Sequence, residues 1–217
     1  RLAALSERWF RGAGKPPMDQ FVFVTMRDGL GTGVIIDGKL LQGASGQACE
    51  FGHTILYPEG RLCACGNTGC WEEYASDRAL ERDYAERQPE TARKISAEEI
   101  VTRARSGDIV AMECLRSTAT FAAMGFVNVH HVLNPETIVV GDYLGSAWDL
   151  VQDVVWEVLH KRLRNLYLKK LRIVTARHGS DSALMGAVAL VLSHFFTRFD
   201  AKAEIGLPVK TTLTQDR

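Results

Sequence analysis

The sequence predicts an α/β fold in which an antiparallel hairpin precedes a set of parallel strands. The hairpin is indicated by the pair Asp37-Gly38, which separates two short apolar runs. The parallel strands are indicated by strand and helix patterns that alternate from residue 137 onwards, because a helical connection returns the chain in the same direction. The chain has 217 residues, of which 46% are hydrophobic, so it can bury a core without disulfides.

The first part of the chain is predicted to contain one helix and the hairpin. Leu2, Leu5 and Trp9 recur at helical spacing, and the glycines and prolines between residues 12 and 17 end this helix. A tight bend between the first two strands is predicted at three glycines, Gly29, Gly31 and Gly33. The predicted elements of this part are a helix over 2–10 and strands over 21–26, 34–36 and 39–41.

The remainder is predicted to be mainly helical, with two short buried strands. Ser96 followed by Glu99 is typical of a capping box, which begins a helix. A long apolar pattern ends at Asn134-Pro135, because the residue before a proline disfavours helical geometry. The predicted elements are helices over 71–87, from 96 onwards, over 108–133, 146–168 and 182–199, strands over 137–141 and 171–175, and a peripheral tail over 200–217.

Composition and charge exclude several classes of function. Lys and Arg number 26 and Asp and Glu also number 26, so no overall basic charge favours non-specific phosphate binding. The chain has no apolar run of the roughly 18 residues that a membrane span needs. Its first residues also lack the order of a secretory signal. We therefore expect a cytoplasmic protein in which this chain itself contacts neither DNA nor a membrane.

Three of the five cysteines lie close together in the segment 53–70, which begins with a histidine. Disulfides are disfavoured in a reducing compartment, where closely spaced cysteines more often indicate a metal site. His53, Cys63, Cys65 and Cys70 offer one imidazole and three thiolates, which is the closed tetrahedral set typical of structural zinc. The sequence predicts zinc as the cofactor of this loop. Reduced thiols in a metal-free loop remain the alternative.

Several motifs along the chain resemble those of one protein family. They are GASGQACEFGH at 43–53, CACGNTGCWE at 63–72, AALSERWF at 3–10, LNPE at 133–136 and GA at 186–187. Together they resemble the ROK family of repressors, open reading frames and sugar kinases, and most of all its transcriptional-regulator branch. The resemblance covers 1–199 and implies an actin-like, ribonuclease-H-like ATPase fold of the sugar-kinase type, here mainly its carboxy-terminal lobe.

The resemblance also implies a sugar site next to the cysteines. Carried over by motif position, the residues that bind sugar hydroxyls are Glu50, His53 and Glu72. Carboxylates accept hydrogen bonds from hydroxyls, and a metal-bound histidine is held in one orientation. Two alternatives stay open: Glu73 competes with its neighbour Glu72, and Glu50 is also compatible with a solvated surface carboxylate.

The chain departs from the family pattern where kinases hold the phosphates of ATP. A Gly-Thr-Gly-x-Gly run is expected there, but Arg27 and Asp28 stand where a glycine and the threonine belong. At a second nucleotide element, Gly141-Asp142 replaces a glycine pair. An aspartate repels phosphates and an arginine hinders close backbone approach. The residues of this degraded nucleotide loop are Arg27, Asp28, Gly29, Gly31, Gly33 and Asp142.

A retained sugar site beside a degraded nucleotide loop favours a sensor over a phosphotransferase. We expect the effector-binding and oligomerisation domain of a ROK transcriptional regulator, with a small-molecule sugar as effector. DNA contact is expected from an amino-terminal domain upstream of Arg1, and a homodimer or homotetramer would match a two-fold operator.

Two other functions remain open. The chain is also compatible with a fragment of an ATP-dependent hexose or N-acylhexosamine kinase, whose phosphate loop and catalytic aspartate would precede Arg1. No catalytic residue is therefore assigned within the chain, and an enzymatic activity is less expected than a regulatory one. The third function is a zinc-stabilised scaffold that binds no sugar.

Overall fold

The computed structural model describes residues 1–10, 18–90 and 94–196. The strands are β1 (Phe21–Met26), β2 (Leu30–Ile36), β3 (Lys39–Leu40), β4 (Thr137–Val140) and β5 (Arg172–Thr175). The helices are α1 (Leu2–Phe10), α2 (Glu72–Ala75), α3 (Asp77–Arg87), α4 (Ala97–Arg105), α5 (Ile109–Leu133), α6 (Asp142–Ser146), α7 (Trp148–Arg162), α8 (Asn165–Leu168) and α9 (Ser182–Phe196). Two 3-10 turns lie at Phe51–His53 and Gly179–Asp181.

The five strands form one mixed sheet in the order β3-β2-β1-β4-β5. β1, β2 and β3 pair antiparallel, whereas β1 pairs parallel with β4 and β4 with β5. The α/β prediction, with a hairpin before parallel strands, is confirmed. The carboxyl ends of β1, β4 and β5 therefore lie along the same edge of the sheet.

Alternate residues of β1 are buried in two different hydrophobic cores, one on each face of the sheet. Val22 and Val24 belong to the larger core, which includes Leu115 of α5. Phe21 and Phe23 belong to a smaller core with residues of α1. Helix α1 in turn packs against α9, so the first described helix lies between this face of the sheet and the last described helix.

The predicted bend at three glycines is wrong for two of them. Gly31 and Gly33 lie within β2, paired with Thr25 and Phe23 of β1, and only Gly29 lies in the turn. A Cβ on Gly33 would lie 2.8 Å from the Ala4 side chain, so this glycine permits α1 to pack closely on β2. Gly33 is thus explained by packing of a helix on the sheet rather than by a turn.

Two predicted helices are divided in the structure. The helix predicted over 71–87 breaks at Ser76, which has extended backbone angles and whose side chain accepts a hydrogen bond from Ala79 N at the start of α3. Most of the helix predicted over 146–168 is formed by α7 and α8, which are separated at Leu163 because this residue adopts an extended conformation. A further short helix, α6, begins earlier, at Asp142.

The long helix is predicted to within one residue. Asp108 caps α5 by accepting a hydrogen bond from Ala111 N, and Asn134 ends it in the left-handed conformation with φ 45°. The capping box at Ser96 is confirmed in part, since its side chain accepts a hydrogen bond from Glu99 N. The glycines and prolines at 12–17, the helix end at 197–199 and the tail at 200–217 lie outside the described residues.

Candidate functional site

The cysteine loop is folded by two isolated β-bridges and by glycines with positive φ. The bridges join Ile55 to Cys70 and Leu62 to Thr68, which brings the two ends of the loop together. Gly69 has φ 77°, and a Cβ there would overlap the carbonyl oxygen of Tyr57. Only glycine fits this position, so the glycine beside Cys70 is required by the shape of the loop.

The loop brings the four predicted metal ligands into one cluster. The ligand atoms of His53, Cys63, Cys65 and Cys70 all lie within 4.8 Å of one another. The Sγ atoms of Cys65 and Cys70 are 3.7 Å apart, and Cys63 Sγ lies 3.7 Å from His53 Nδ1. A tetrahedral zinc ion with Zn–S bonds of about 2.3 Å would hold its sulfurs about 3.8 Å apart. The donor set and its spacing therefore fit such an ion, and all five cysteines are free of disulfides.

Burial opposes ionisation of two of the thiols. It raises the pKa of Cys63 and of Cys70, because surroundings of low dielectric constant disfavour a thiolate. Cys65 is exposed, and a hydrogen bond from the backbone of Asn67 lowers its pKa. A divalent cation at the centre of the cluster would offset the cost of burying two thiolates.

Glu72 lies directly beside the cluster and is only 7% exposed. Its Oε1 lies 3.2 Å from Cys63 Sγ and 3.8 Å from His53 Nδ1. Its Oε2 accepts a hydrogen bond from Leu30 N at 3.1 Å. The neighbouring Glu73 also has an oxygen within 4.8 Å of Cys63 and Glu72, but it forms an ion pair with Arg82 at 3.2 Å. The structure thus gives Glu72 the direct contact with the cluster.

Glu50 precedes the 3-10 turn that carries His53. Its backbone carbonyl accepts a hydrogen bond from His53 N at 3.1 Å, so the two residues are fixed relative to each other. The Glu50 side chain is half exposed and pairs with Arg1 at 2.8 Å. Arg1 also donates to the carbonyl of Gly46. Sequence reasoning missed this arginine, because no local pattern links residues 49 positions apart.

A cleft lies at the carboxyl ends of the parallel strands, where open α/β sheets usually bind ligands. It comprises two adjoining cavities of about 320 Å³ and 410 Å³. Both are lined by Arg27, Asp142, Gly179 and Ser180. Arg27 Nη1 donates a hydrogen bond to Ser180 O at 3.4 Å. The Arg27 side chain therefore extends across the cleft, from the end of β1 to the 3-10 turn that precedes α9.

Asp142 is held by the end of β1. Its Oδ2 accepts hydrogen bonds from Thr25 Oγ1 at 2.5 Å and from Met26 N at 2.8 Å. The residue has φ 52°, a left-handed conformation that favours glycine. Burial raises the pKa of its carboxyl group. Asp142 therefore stands where the family pattern predicts a glycine, and its carboxylate is hydrogen-bonded by Thr25 and Met26 of the same chain.

The other residues predicted to form a degraded nucleotide loop lie in the turn between β1 and β2 or follow it. The carbonyl of Asp28 accepts a hydrogen bond from Arg78 Nε, and its side chain is exposed. A Cβ on Gly29 would lie 2.7 Å from Glu72 Oε2. The turn is thus packed against α2 and α3.

Two further carboxylates, those of Asp77 of α3 and Glu98 of α4, border the 320 Å³ cavity. Burial, with the charges of Glu98 and Asp142, raises the pKa of Asp77 to about 7, against an opposing effect of Arg27. Sequence reasoning missed both residues, because each reads locally as an ordinary acidic residue in the first turn of a helix.

None of the helices in the described part of the chain has both the length and the apolar character required to cross a bilayer.

Comparisons with known proteins identify relatives of two functional kinds. The sequence model of the ROK family matches residues 1–194. The chain is 30% identical over 200 residues to a xylose repressor of Caldicellulosiruptor bescii, with 88% of this chain and 50% of that protein covered. It is 35% identical over 185 residues to a glucokinase of Streptomyces coelicolor, with 78% and 58% covered. The chain thus spans about half to three fifths of these curated relatives.

The similar solved structures also include both a sugar kinase and a transcriptional regulator. A ROK family glucokinase from Streptomyces griseus, in complex with glucose and AMPPNP, aligns with a TM-score of 0.77 at 34% identity over 87% of this chain and 65% of that one. A ROK family transcriptional regulator, a homologue of the E. coli MLC protein, aligns with a TM-score of 0.77 at 28% identity over 88% and 49%. The mixed sheet has actin-like sugar kinases as its structural neighbours, and the chain belongs to the ROK family.

Proposed function

We propose that this chain is the sugar-sensing, effector-binding and oligomerisation domain of a ROK transcriptional regulator. The observation that carries the proposal is the charge of the 320 Å³ cavity at the sheet edge. Three carboxylates, those of Asp77, Glu98 and Asp142, border a cavity that contains one guanidinium, that of Arg27. This arrangement disfavours binding of a nucleoside triphosphate, because like charges repel strongly where water is partly excluded.

Protonation of Asp77 does not remove this excess of negative charge. With a pKa of about 7, Asp77 is half ionised near neutral pH. Both hydrogen bonds that Asp142 accepts from the chain end on Oδ2, and an ionised carboxylate at this position would repel a phosphate group. The turn at Arg27 places a long side chain where close backbone approach to phosphate would be needed.

In the proposed function the Cys/His cluster binds zinc through His53, Cys63, Cys65 and Cys70. Zinc in such a closed set supplies structural rigidity, because it adds no open coordination position for chemistry. With Nδ1 of His53 directed at the cluster, Nε2 is the ring nitrogen left for a ligand. The side chain of His53 is 37% exposed, which leaves it accessible to a small molecule.

The proposed effector is a sugar that is recognised through its hydroxyl groups. Glu50, His53 and Glu72 would supply two carboxylates and one imidazole, which together accept and donate hydrogen bonds to vicinal hydroxyls. DNA would be bound by an amino-terminal domain upstream of Arg1, and a homodimer or homotetramer would present two such domains to a palindromic operator. We place this regulator in the cytoplasm, where its thiols stay reduced.

The second candidate function is ATP-dependent phosphorylation of a hexose or N-acylhexosamine. It is favoured by the identity of 35% with the glucokinase of Streptomyces coelicolor, which exceeds the 30% identity with the xylose repressor. In this function the parent protein would supply the catalytic aspartate and a phosphate loop from outside the present chain. The charged cleft argues against it.

Calorimetric titration of the zinc-loaded full-length protein separates the candidates. MgATP is titrated first, followed by a panel of hexoses and N-acetylhexosamines. Sugar binding without ATP binding supports the sensor, and ATP binding with turnover overturns it in favour of the kinase. Zinc retention with no heat from any sugar would instead indicate a scaffold without an effector.

A further inference from the structure

One buried position of β2 carries a hydroxyl group among apolar neighbours. Leu30, Thr32 and Val34 lie on the same face of this strand, because side chains alternate along it. Leu30 and Val34 belong to the larger hydrophobic core. Thr32 is 6% exposed, so little water reaches its hydroxyl. Valine would fill the same space without a polar atom, so the hydroxyl indicates a specific contact.

The partner of this hydroxyl is the backbone of Cys49. Thr32 Oγ1 donates a hydrogen bond to Cys49 O. Cys49 has φ 68°, in the left-handed region where a Cβ lies too close to the carbonyl oxygen that follows it. A residue with a side chain keeps this conformation only where the surrounding structure holds it. The hydrogen bond from Thr32 is one contact that does so.

Cys49 directly precedes the residues proposed to bind the sugar. Its backbone angles set the direction in which the chain enters Glu50, and Glu50 O accepts the hydrogen bond from His53 N. Gly52, in the 3-10 turn between them, packs on β2, since a Cβ there would overlap Leu30 O. The 3-10 turn thus rests on the same strand that holds Cys49.

The chain before Cys49 is fixed as well. Ala48 N donates a hydrogen bond to Gln42 O at 3.0 Å, which closes the preceding loop. With the chain held on both sides, a change in the backbone angles of Cys49 would either break the Ala48 bond or move Glu50. The conformation of Cys49 therefore controls the placement of the Glu50 carboxylate.

We propose that Thr32 is a positioning residue for the sugar site: its hydroxyl holds Cys49 in the left-handed conformation that directs Glu50 towards the sugar. Thr32 acts through Cys49 and does not itself contact the ligand. The inference rests on the proposed function, because it requires Glu50 to bind a sugar, and it adds a residue of the central sheet to that site. It requires no metal ion, since Thr32, Cys49 and Glu50 lie outside the Cys/His cluster.

Titration calorimetry of the full-length protein, with a sugar that binds the wild type, tests the proposal. Thr32→Val keeps the shape of the side chain and removes the hydroxyl. Sugar affinity should fall by roughly tenfold or more, because the site is no longer held in its binding geometry. Thr32→Ser keeps the hydroxyl and should bind within about threefold of the wild type. Thr137→Val, which removes a buried hydroxyl from β4, is the matched control and should bind normally.

Cys49→Gly separates positioning from a general effect on the core. Glycine adopts positive φ without the crowding of a Cβ, so position 49 then depends less on the hydroxyl. Thr32→Val should therefore weaken sugar binding by less than about threefold in the Cys49→Gly background. An equal loss in the two backgrounds would show that Thr32 acts through core packing alone and would overturn the proposal. If Thr32→Val does not fold as a single change, Cys49→Gly with and without it decides the question, and a loss of roughly tenfold there overturns the proposal.

The outcomes for this inference and for the proposed function are distinct. Wild-type affinity in folded Thr32→Val overturns the positioning role and leaves the sugar site in place. A loss in Thr32→Ser as large as that in Thr32→Val also overturns it, because the hydroxyl is then not what matters. A wild-type protein that binds none of the sugars overturns both the positioning role and the proposed function.

Discussion

Glu72 and Leu30, 42 positions apart in the chain, are joined by a hydrogen bond of 3.1 Å from the Leu30 amide to the Glu72 carboxylate. This bond occupies Oε2 of a residue that the family resemblance assigns to sugar binding. A sugar hydroxyl bound by Glu72 would therefore be expected at Oε1, on the side of His53. The Glu72 carboxylate thus contacts the sheet through Oε2 and the candidate site through Oε1.

Replacement of Cys65 by serine should remove the metal from the loop. A serine oxygen is a poor zinc ligand beside two thiolates, and structural zinc contributes on the order of 10 kcal/mol to the folding of zinc-finger peptides. The expected result is loss of bound zinc with a lower unfolding temperature, measured by elemental analysis and calorimetry. Cys49→Ser is the matched control, because Cys49 lies outside the cluster. Full zinc occupancy in Cys65→Ser would show that the ligand set is wrong.

Replacement of Glu50 by alanine should weaken sugar binding by roughly 10- to 100-fold, since a hydrogen bond to a charged group contributes about 1.5–3 kcal/mol. Zinc content and unfolding temperature should change little, because the Glu50 side chain is half exposed. Titration calorimetry with a sugar that binds the wild type provides the measurement. Glu59→Ala, which removes an exposed glutamate of the cysteine loop, should bind the sugar normally. Unchanged affinity in Glu50→Ala would exclude this residue from the sugar site.

Two glycines of the loop should respond differently to alanine. Both have positive φ, at 93° for Gly66 and 77° for Gly69, but an added Cβ meets nothing within 4 Å at Gly66 and overlaps Tyr57 O at Gly69. Gly66→Ala should cost about 1 kcal/mol of backbone strain. Gly69→Ala should cost roughly 3 kcal/mol or more and reduce metal content. Denaturant unfolding measures both, and equal losses would contradict the geometry of the loop.

The stability of the protein should fall as the pH rises towards 7, in part because of Asp77. Its folded pKa of about 7 lies above the usual aspartate pKa of 3.8, so the folded state binds more protons than the unfolded state between these values. The contribution of Asp77 is full below pH 3.8 and is lost as the pH passes through about 7. Asp77→Asn should therefore be the more stable protein at pH 8.

The expected gain for Asp77→Asn is about 1–2 kcal/mol, less than the whole pKa shift implies, because solvent screens this partly exposed side chain. Urea unfolding at pH 5 and pH 8 measures it. Asp149→Asn is the opposite control, since hydrogen bonding to Arg105 lowers the pKa of Asp149 and its removal should bring no gain at pH 8. If the difference in unfolding free energy between Asp77→Asn and wild type does not vary with pH, the raised pKa of Asp77 is refuted.

Features with local causes were predictable from the sequence, and those with distant causes were not. The ends of α5 follow from Asp108 and Asn134, which cap the helix through their own side chain and backbone. The Cys/His cluster follows from residues close together in the chain. The approach of Asp77 to Asp142 depends on how α3 packs near the sheet, and no short segment encodes that distance.

The hydrogen bonds of Asp142 have a consequence for protein engineering. A single change of Asp142 to glycine would leave Met26 N and Thr25 Oγ1 without their acceptor, and a buried unsatisfied group costs about 1–3 kcal/mol. A designer who wished to install nucleotide affinity would therefore need a new acceptor for the Met26 amide and a change at position 25, together with the change at position 142. We expect these changes to be coupled, so that glycine at position 142 alone gives a less stable protein.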